Sequence, residues 1–272
     1  MSSEPQGAAR SRVQSQFGDK ADAYATSAIH ADYESLTALV AALQPENTWR
    51  VVDVATGAGH TAHAFAPHVA QVVATDVTAS MVAKARALAR EKGLANVTAA
   101  VAGAEGLPFA AGTLDLVTCR LAAHHFPDVG AFLAEVHRVL RPGGHLALVD
   151  NVVPGSLRSG KKARLQQEAG RYINALERLR DPSHARCLSV YEWRQAFLDA
   201  GLVVDDEALS WKWLDFGPWA ARMGVAEPAL TQLRVLFTRA PDEVLEFLTP
   251  QIQAGTIKFR LSEALFVVTK KR

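Results

Sequence analysis

Val51-Val52-Asp53-Val54-Ala55-Thr56-Gly57-Ala58-Gly59-His60-Thr61-Ala62 sets the fold of this chain, because it encodes a buried strand, a tight turn and a helix start in succession. The valines around Asp53 read as a parallel strand covered on both faces. Gly57 and Gly59 let the backbone turn sharply and approach a ligand without a Cβ in the way, and a helix can begin at His60. The next apolar, β-branched run, 71–75, ends at Asp76, seventeen residues past Gly59. That is close to the roughly 20-residue spacing at which a carboxylate meets a ribose diol. A sugar-bearing cofactor is the economical reading of the two segments together.

The glycines alone leave the cofactor open. Gly57-Ala58-Gly59-His60-Thr61-Ala62 also satisfies the G-x-G-x-x-A form of the dinucleotide fingerprint, which keeps an NAD-dependent dehydrogenase as an alternative. Further along come Val101-Ala102-Gly103-Ala104-Glu105-Gly106-Leu107-Pro108-Phe109, then Leu114-Asp115-Leu116-Val117-Thr118-Cys119, then Arg138-Val139-Leu140-Arg141-Pro142-Gly143-Gly144-His145-Leu146. With these in order, residues 13–152 resemble the class I S-adenosylmethionine-dependent methyltransferases. The branch they resemble holds the ubiquinone and menaquinone biosynthesis C-methyltransferases and many small-molecule methyltransferases. The resemblance implies a Rossmann-like α/β fold with a seven-stranded, mostly parallel sheet, helices on both faces, an antiparallel last strand and helical lid insertions.

Composition fits an enzyme of this class. With 49% hydrophobic and 21% charged residues, the 272-residue chain can bury one large core or a core with a lid. Lys and Arg total 29 against 28 for Asp and Glu, so no global field favours nucleic acid or an anionic membrane, and a small-molecule partner is expected. Cys119 and Cys187 lie far apart, with Cys119 in a predicted buried strand, which suits reduced thiols. No basic-then-apolar leader opens the sequence and no apolar run approaches a membrane span, so a cytoplasmic protein without integral membrane association is expected.

Residues 1 to about 12 are polar and are expected to be loose. Apolar spacing predicts lid helices over 17–29 and 33–43, the second ended by Gln44-Pro45-Glu46-Asn47. Strands are predicted at 50–54, 71–75, 96–101, 114–119 and 145–150, with helices near 60–68, 79–92 and 129–140 between them. Beyond Asp150 the alternation breaks: 156–179 and 191–200 read as helical, and 218–252 as mainly helical. By resemblance, 209–216 and 262–270 form an antiparallel pair at the sheet edge. The resulting division is lid helices over 1–48, a cofactor-binding core over 49–152, and 153–272 completing the sheet beneath a helical substrate roof, all in one unit.

The resemblance carries specific roles. It implies that Asp53 organises the glycine loop and the methionine amine, that Ala55, Thr56, Gly57 and Gly59 form the turn against the cofactor, and that Asp76 accepts both ribose hydroxyls with Val77 beside it. Asp53 also reads as a strand-end acid capping a turn, and Asp76 as an acid at a helix N-terminus. Met81 lies against adenine or in the core. Relatives place an Asp that binds the adenine amino group where this chain has Gly103, which leaves backbone around Ala104 and Glu105 for that contact.

For catalysis, the segment Arg120-Leu121-Ala122-Ala123-His124-His125-Phe126 follows the fourth strand, where relatives place groups beside the transferable methyl. Methyl transfer is an in-line displacement that needs a base only if the nucleophile must lose a proton. His124 or His125 can be that base, or both can serve as hydrogen-bond donors to nearby backbone. Arg120 binds a carboxylate of cofactor or substrate, or pairs with a neighbouring acid. Tyr24, in a segment similar to the relatives' cofactor-covering helix, either seals the methionine end of the cofactor or packs lid helices together. Arg180-Asp181-Pro182-Ser183-His184 is a second polar cluster in the roof that reads as a surface turn, with His184 facing substrate as the alternative. Trp193, Trp211, Trp213 and Trp219 fit an aromatic substrate or a core.

No metal is expected. Asp150-Asn151 resembles part of a magnesium-dependent catechol-type site, but Arg120 stands where the third acid would be, and magnesium takes oxygen ligands. His60 and His63 lack the further ligands of a zinc site. The expected activity is methyl transfer from S-adenosylmethionine to an oxygen or carbon of a small molecule, giving S-adenosylhomocysteine. A protein of this fold that binds the cofactor without methylating is the alternative.

Overall fold

Five apolar segments pair side by side as parallel strands: β1 (Arg50–Val54), β2 (Gln71–Asp76), β3 (Val97–Val101), β4 (Leu114–Arg120) and β5 (Leu140–Val152). The computed structural model describes residues 6–18, 33–253 and 255–271. Sheet order is β3-β2-β1-β4-β5-β8-β6, where β6 (Leu202–Asp215) and β8 (Thr256–Lys270) complete one side. β8 runs antiparallel to both β5 and β6, as the resemblance implies, although both end strands are longer than predicted. A short strand, β7 (Gln251–Gln253), folds back on β8 and adds an eighth member.

The crossovers put helices on both faces. α1 (Gln6–Phe17) and α2 (Tyr33–Leu43) precede the sheet; α3 (His60–Phe65), α4 (Ala79–Glu91) and α5 (Val129–Val139) connect its parallel strands. On one face Phe132, Leu133 and Val136 of α5 meet Val52, Val117 and Leu148. On the other, Leu39 and Leu43 of α2 and Phe65 of α3 meet Val51, Val72 and Leu116. The central strands β1 and β4 are therefore apolar on both sides, which is why the valine runs were readable as parallel sheet.

The third cluster builds a roof. α6 (Lys161–Arg180) and α7 (Val190–Asp199) follow β5, and α8 (Phe216–Ala221), α9 (Ala229–Thr238) and α10 (Asp242–Leu248) follow β6. Phe216, Trp219, Phe237 and Phe259 pack ring against ring with centroids 4.5–5.8 Å apart, and Ile173 and Leu176 of α6 join them. Ser189 and Glu192 form a reciprocal capping box that starts α7.

Several boundaries differ from expectation. Residues 6–12 belong to α1, because Ala9, Val13 and Phe17 recur every fourth residue and line the central cavity. The predicted helix over 17–29 lies largely outside the described residues. The stretch 218–252 is split where Pro228 and Pro241 stand as N-caps of α9 and α10, since proline cannot continue a preceding helix. β5 starts at Leu140 instead of 145, and the register with β4 slips between Leu114 and Leu116 as Arg141-Pro142-Gly143-Gly144 passes. Cys119 and Cys187 are both buried and free. Among the described residues no helix is long and apolar enough to cross a membrane.

Candidate active site

A cavity of about 210 Å³ lies beyond the carboxyl ends of β1, β2, β4 and β5, where the strand order reverses between β1 and β4. Ligands in open parallel sheets bind at this topological position. The turn after β1 forms one wall. Ala55 takes φ 53°, Gly57 φ 52° and Gly59 φ 92°. Nothing lies within 4 Å of where a Gly57 Cβ would project, whereas a Cβ on Gly59 would meet the His63 ring at 2.7 Å. Gly57 therefore presents bare backbone to the cavity, and Gly59 makes room for a packed histidine beneath the turn. Burial pushes that His63 down to about 4, and its Nε2 lies 3.0 Å from the Ala85 carbonyl.

Two acids hold the turn. Asp76 accepts from Gly57 N at 2.9 Å and from Thr78 N at 2.8 Å, tying the ends of β1 and β2 together while its carboxylate stays on the cavity wall. Burial raises its pKa, and these backbone donors oppose the rise. Asp53 sits one layer lower and is not on the wall. It accepts from Thr118 Oγ1 at 2.6 Å, Thr56 Oγ1 at 2.5 Å and Ala62 N at 3.2 Å. Burial lifts it to about 6 despite those donors and the nearby Arg120 charge.

Ala55, Thr56, Val77, Met81, Ala104, Glu105 and Arg120 all line the cavity. Met81 is also part of a small core with Phe17 and Met223, so its core reading is met while it lines the cavity as well. Gly59 and Asp53 act from beneath the surface, and Tyr24 lies outside the described residues. Arg10, from α1, pairs with Glu105 at 3.1 Å and would crowd any Cβ on Gly103 at 2.6 Å. Space that a side chain at position 103 would fill is thus taken by a guanidinium, a contact between segments far apart in sequence.

The opposite wall holds the histidines. A single 3-10 turn, Ala123–His125, follows β4, with Leu121 at φ 54° and the His124 carbonyl accepting from Ala185 N and Arg186 N at 2.9 Å each. His124 Nδ1 lies 2.6 Å from Asp150 Oδ1. Burial favours neutral His124, but the charge of Asp150 and its hydrogen bond outweigh burial and raise the pKa, with Glu177 and Asp181 adding to the effect. His125, 4.2 Å away centroid to centroid, is pushed down to about 4 by burial and by the charge of His124. Its Nδ1 approaches the Ser183 carbonyl at 3.1 Å and the Ser183 hydroxyl at 3.2 Å, so its backbone-bonding reading is realised.

His184 corrects an expectation. It is buried rather than part of a surface turn: Nε2 donates to Asn174 Oδ1 at 2.9 Å, an oxygen that also accepts from Cys187 N at 2.7 Å. Burial, followed by the charges of His124 and His125, lowers its pKa to about 2 and keeps it neutral. Its ring stands 5.6 Å from that of His124. Sequence reading also missed the pairs that close the roof side, Glu177–Arg180 at 2.9 Å and Glu263–Lys212 at 2.9 Å. The latter joins β6 and β8 across neighbouring register positions, which no local pattern reveals. Trp219 lines the cavity under Arg180, Trp193 is core, and Trp211 and Trp213 are exposed on β6 away from it. Among the described residues no cluster of three or more His, Cys, Asp or Glu could hold a metal ion.

Fold and site together define a class I methyltransferase architecture: a parallel sheet closed by an antiparallel strand, a glycine turn latched by a carboxylate, and a cavity at the strand ends. Residues 52–148 match the family model described as a methyltransferase domain. The chain is 35% identical over 228 residues to the uncharacterized methyltransferase YcgJ of Bacillus subtilis strain 168, covering 84% of this chain and 86% of that protein. The solved structure of the YcgJ protein superposes with a TM-score of 0.81 at 33% identity, covering 88% of this chain and 99% of that one. The ubiquinone/menaquinone biosynthesis C-methyltransferase UbiE of Sinorhizobium fredii is 36% identical over 119 residues, 42% of this chain and 46% of that protein. The chain belongs to this methyltransferase family.

Proposed function

We propose that the protein transfers a methyl group from S-adenosylmethionine to an oxygen or carbon of a small organic molecule. The observation that carries the reading is the meeting of two chemically different walls on one cavity. Asp76 and the bare backbone of Gly57 stand on one, and His124 and His125 on the other. The first wall fits the cofactor. A carboxylate held by backbone donors keeps lone pairs for a ribose diol, a glycine admits close approach, and Val77, Met81 and Ala104 offer apolar surface to a purine. When bound, S-adenosylmethionine would supply an electrophilic methyl on a sulfonium leaving group: an electron pair of the acceptor oxygen or carbon would form the new bond as the carbon–sulfur pair stays on sulfur, leaving S-adenosylhomocysteine.

The chain's own part is placement and dryness. α1 closes the cofactor side through Ala9, Val13 and Phe17, and Leu214, Trp219 and Leu261 close the acceptor side. Excluding water and fixing the line of attack is where most of the acceleration of such a displacement arises. Arg120 reaches the wall from the end of β4, where its guanidinium would hold a carboxylate of the cofactor or acceptor. A small, largely apolar acceptor suits a lining in which Glu177 is already matched by Arg180 and Glu263 by Lys212. The test is a screen of phenols, enols, quinols and carboxylic acids with S-adenosylmethionine, read by S-adenosylhomocysteine release. Acceptor-dependent release supports the reading; cofactor binding with no release from any acceptor supports the non-methylating alternative.

A further inference from the structure

The Asp150–His124 contact carries the mechanism beyond methyl-donor binding. Asp150 is 1% exposed, lies on β5 below the cavity, and directs Oδ1 at His124 Nδ1 over 2.6 Å while also accepting from Asn151 N at 2.9 Å. A carboxylate only accepts, so Nδ1 must carry the hydrogen, and in the neutral ring the lone pair is then on Nε2. The main chain that carries the ring is fixed as well, since the His124 carbonyl takes two backbone donors from the segment after α6. His125 and His184, its ring neighbours, are each engaged by protein groups on the Ser183 and Asn174 side.

We propose that Asp150 is the positioning residue that fixes His124 as the general base, with Nε2 taking a proton from the acceptor. The inference rests on the proposed methyl transfer and names the acceptor class: a phenol or enol hydroxyl, or an activated carbon that must lose hydrogen, and not a carboxylate. As the acceptor's O–H (or C–H) bond breaks, its proton joins Nε2 and its electron pair stays on the acceptor for the new bond to the methyl carbon. The imidazolium so formed pairs with the Asp150 carboxylate and returns its proton to water after turnover. Glu177 and Asp181 at the end of α6 favour the same charged state, and His125 and His184 oppose a second positive charge beside it.

Long-range nitrogen–proton NMR on the full chain labelled with ¹⁵N-histidine reads this without cofactor or acceptor, with His124 assigned by its loss in His124→Gln. The expected result is a neutral His124 protonated on Nδ1, with an inflection above the ordinary 6.5 that falls in Asp150→Asn and partly recovers in Asp150→Glu. Unmoved signals from His63 and His145, which bond other parts of the fold and make no ring contact with His124, show that the variants remain folded. An Nε2–H tautomer in the unaltered protein overturns the proposal even if the variants do not fold, and so does an inflection indifferent to Asp150→Asn. A carboxylic acid as the methylated acceptor overturns the acceptor class. Absence of S-adenosylhomocysteine binding with the expected tautomer intact would instead count against the cofactor reading alone.

Discussion

A single methyl added at Gly57 or at Gly59 should damage two different properties. Both residues hold positive φ, 52° and 92°, so alanine at either pays for a left-handed backbone, about 1–2 kcal/mol. Their surroundings differ. At Gly59 the new Cβ would stand 2.7 Å from two His63 ring atoms and 3.0 Å from Ala85 Cβ, and His63 cannot yield easily because its Nε2 is bound to the Ala85 carbonyl. Crowding of this kind adds about 1–3 kcal/mol. With about 2–4 °C lost per kcal/mol at this size, Gly59→Ala should melt roughly 2–12 °C below Gly57→Ala by calorimetry. Gly57→Ala meets no protein atom within 4 Å, but its methyl enters the cavity. It should weaken S-adenosylhomocysteine binding at least about tenfold in a calorimetric titration, a loss of about 1.4 kcal/mol. Adding His63→Ala to Gly59→Ala should cost less than the two changes summed, because the clash is shared. Equal melting temperatures, or full affinity in Gly57→Ala, would refute the division between a ligand-facing and a packing glycine.

Other residues give sharper chemical tests. Asp53→Asn should flatten the pH dependence of stability: the folded pKa is raised from 3.8 to about 6, so the contribution of Asp53 is fully present below pH 3.8 and is lost as pH rises through about 6. The difference between the two proteins should change by roughly 3 kcal/mol over that window, read by denaturant titration at pH 4 and pH 7. Asp76→Ala removes the acceptor for Gly57 N and Thr78 N as well as the proposed ribose contact, and should weaken S-adenosylhomocysteine binding about 100-fold or more, whereas His124→Ala should leave that affinity within about twofold. Asn174→Ala strips partners from His184 Nε2 and the Cys187 N–H and should cost about 2–4 kcal/mol of stability by the same denaturant measurement. Arg10→Ala should cost less than about 1 kcal/mol because that side chain is 41% exposed, while Phe17→Ala should lower amide-exchange protection across α1 markedly.

Most of the sheet was legible because each central strand is covered on both faces and so is written as an unbroken apolar run. The glycine turn and Asp76 were legible because conformational demand and ligand chemistry act over a few neighbouring residues. Helix α1 had a readable signal, the fourfold spacing of Ala9, Val13 and Phe17, which the polar residues between them masked. The breaks at Pro228 and Pro241 were equally readable from the missing backbone donor. What could not be read are contacts made by topology: Asp150 beneath His124, Lys212 against Glu263, and Arg10 in the space beside Gly103. Each joins segments brought together only by the folded sheet, its covering helices and its roof. His184 shows the same limit in a single side chain, since a sequence suited to an exposed turn is buried by α6 and the roof above it.

Calorimetric titration of the purified chain with S-adenosylmethionine, S-adenosylhomocysteine and NAD in one buffer tests the central claim most directly. Binding of the first two at about micromolar strength, near −8 kcal/mol, with none for NAD is the predicted result. NAD binding with neither sulfur compound bound would contradict the account and return Gly57-Ala58-Gly59-His60-Thr61-Ala62 to a dinucleotide role.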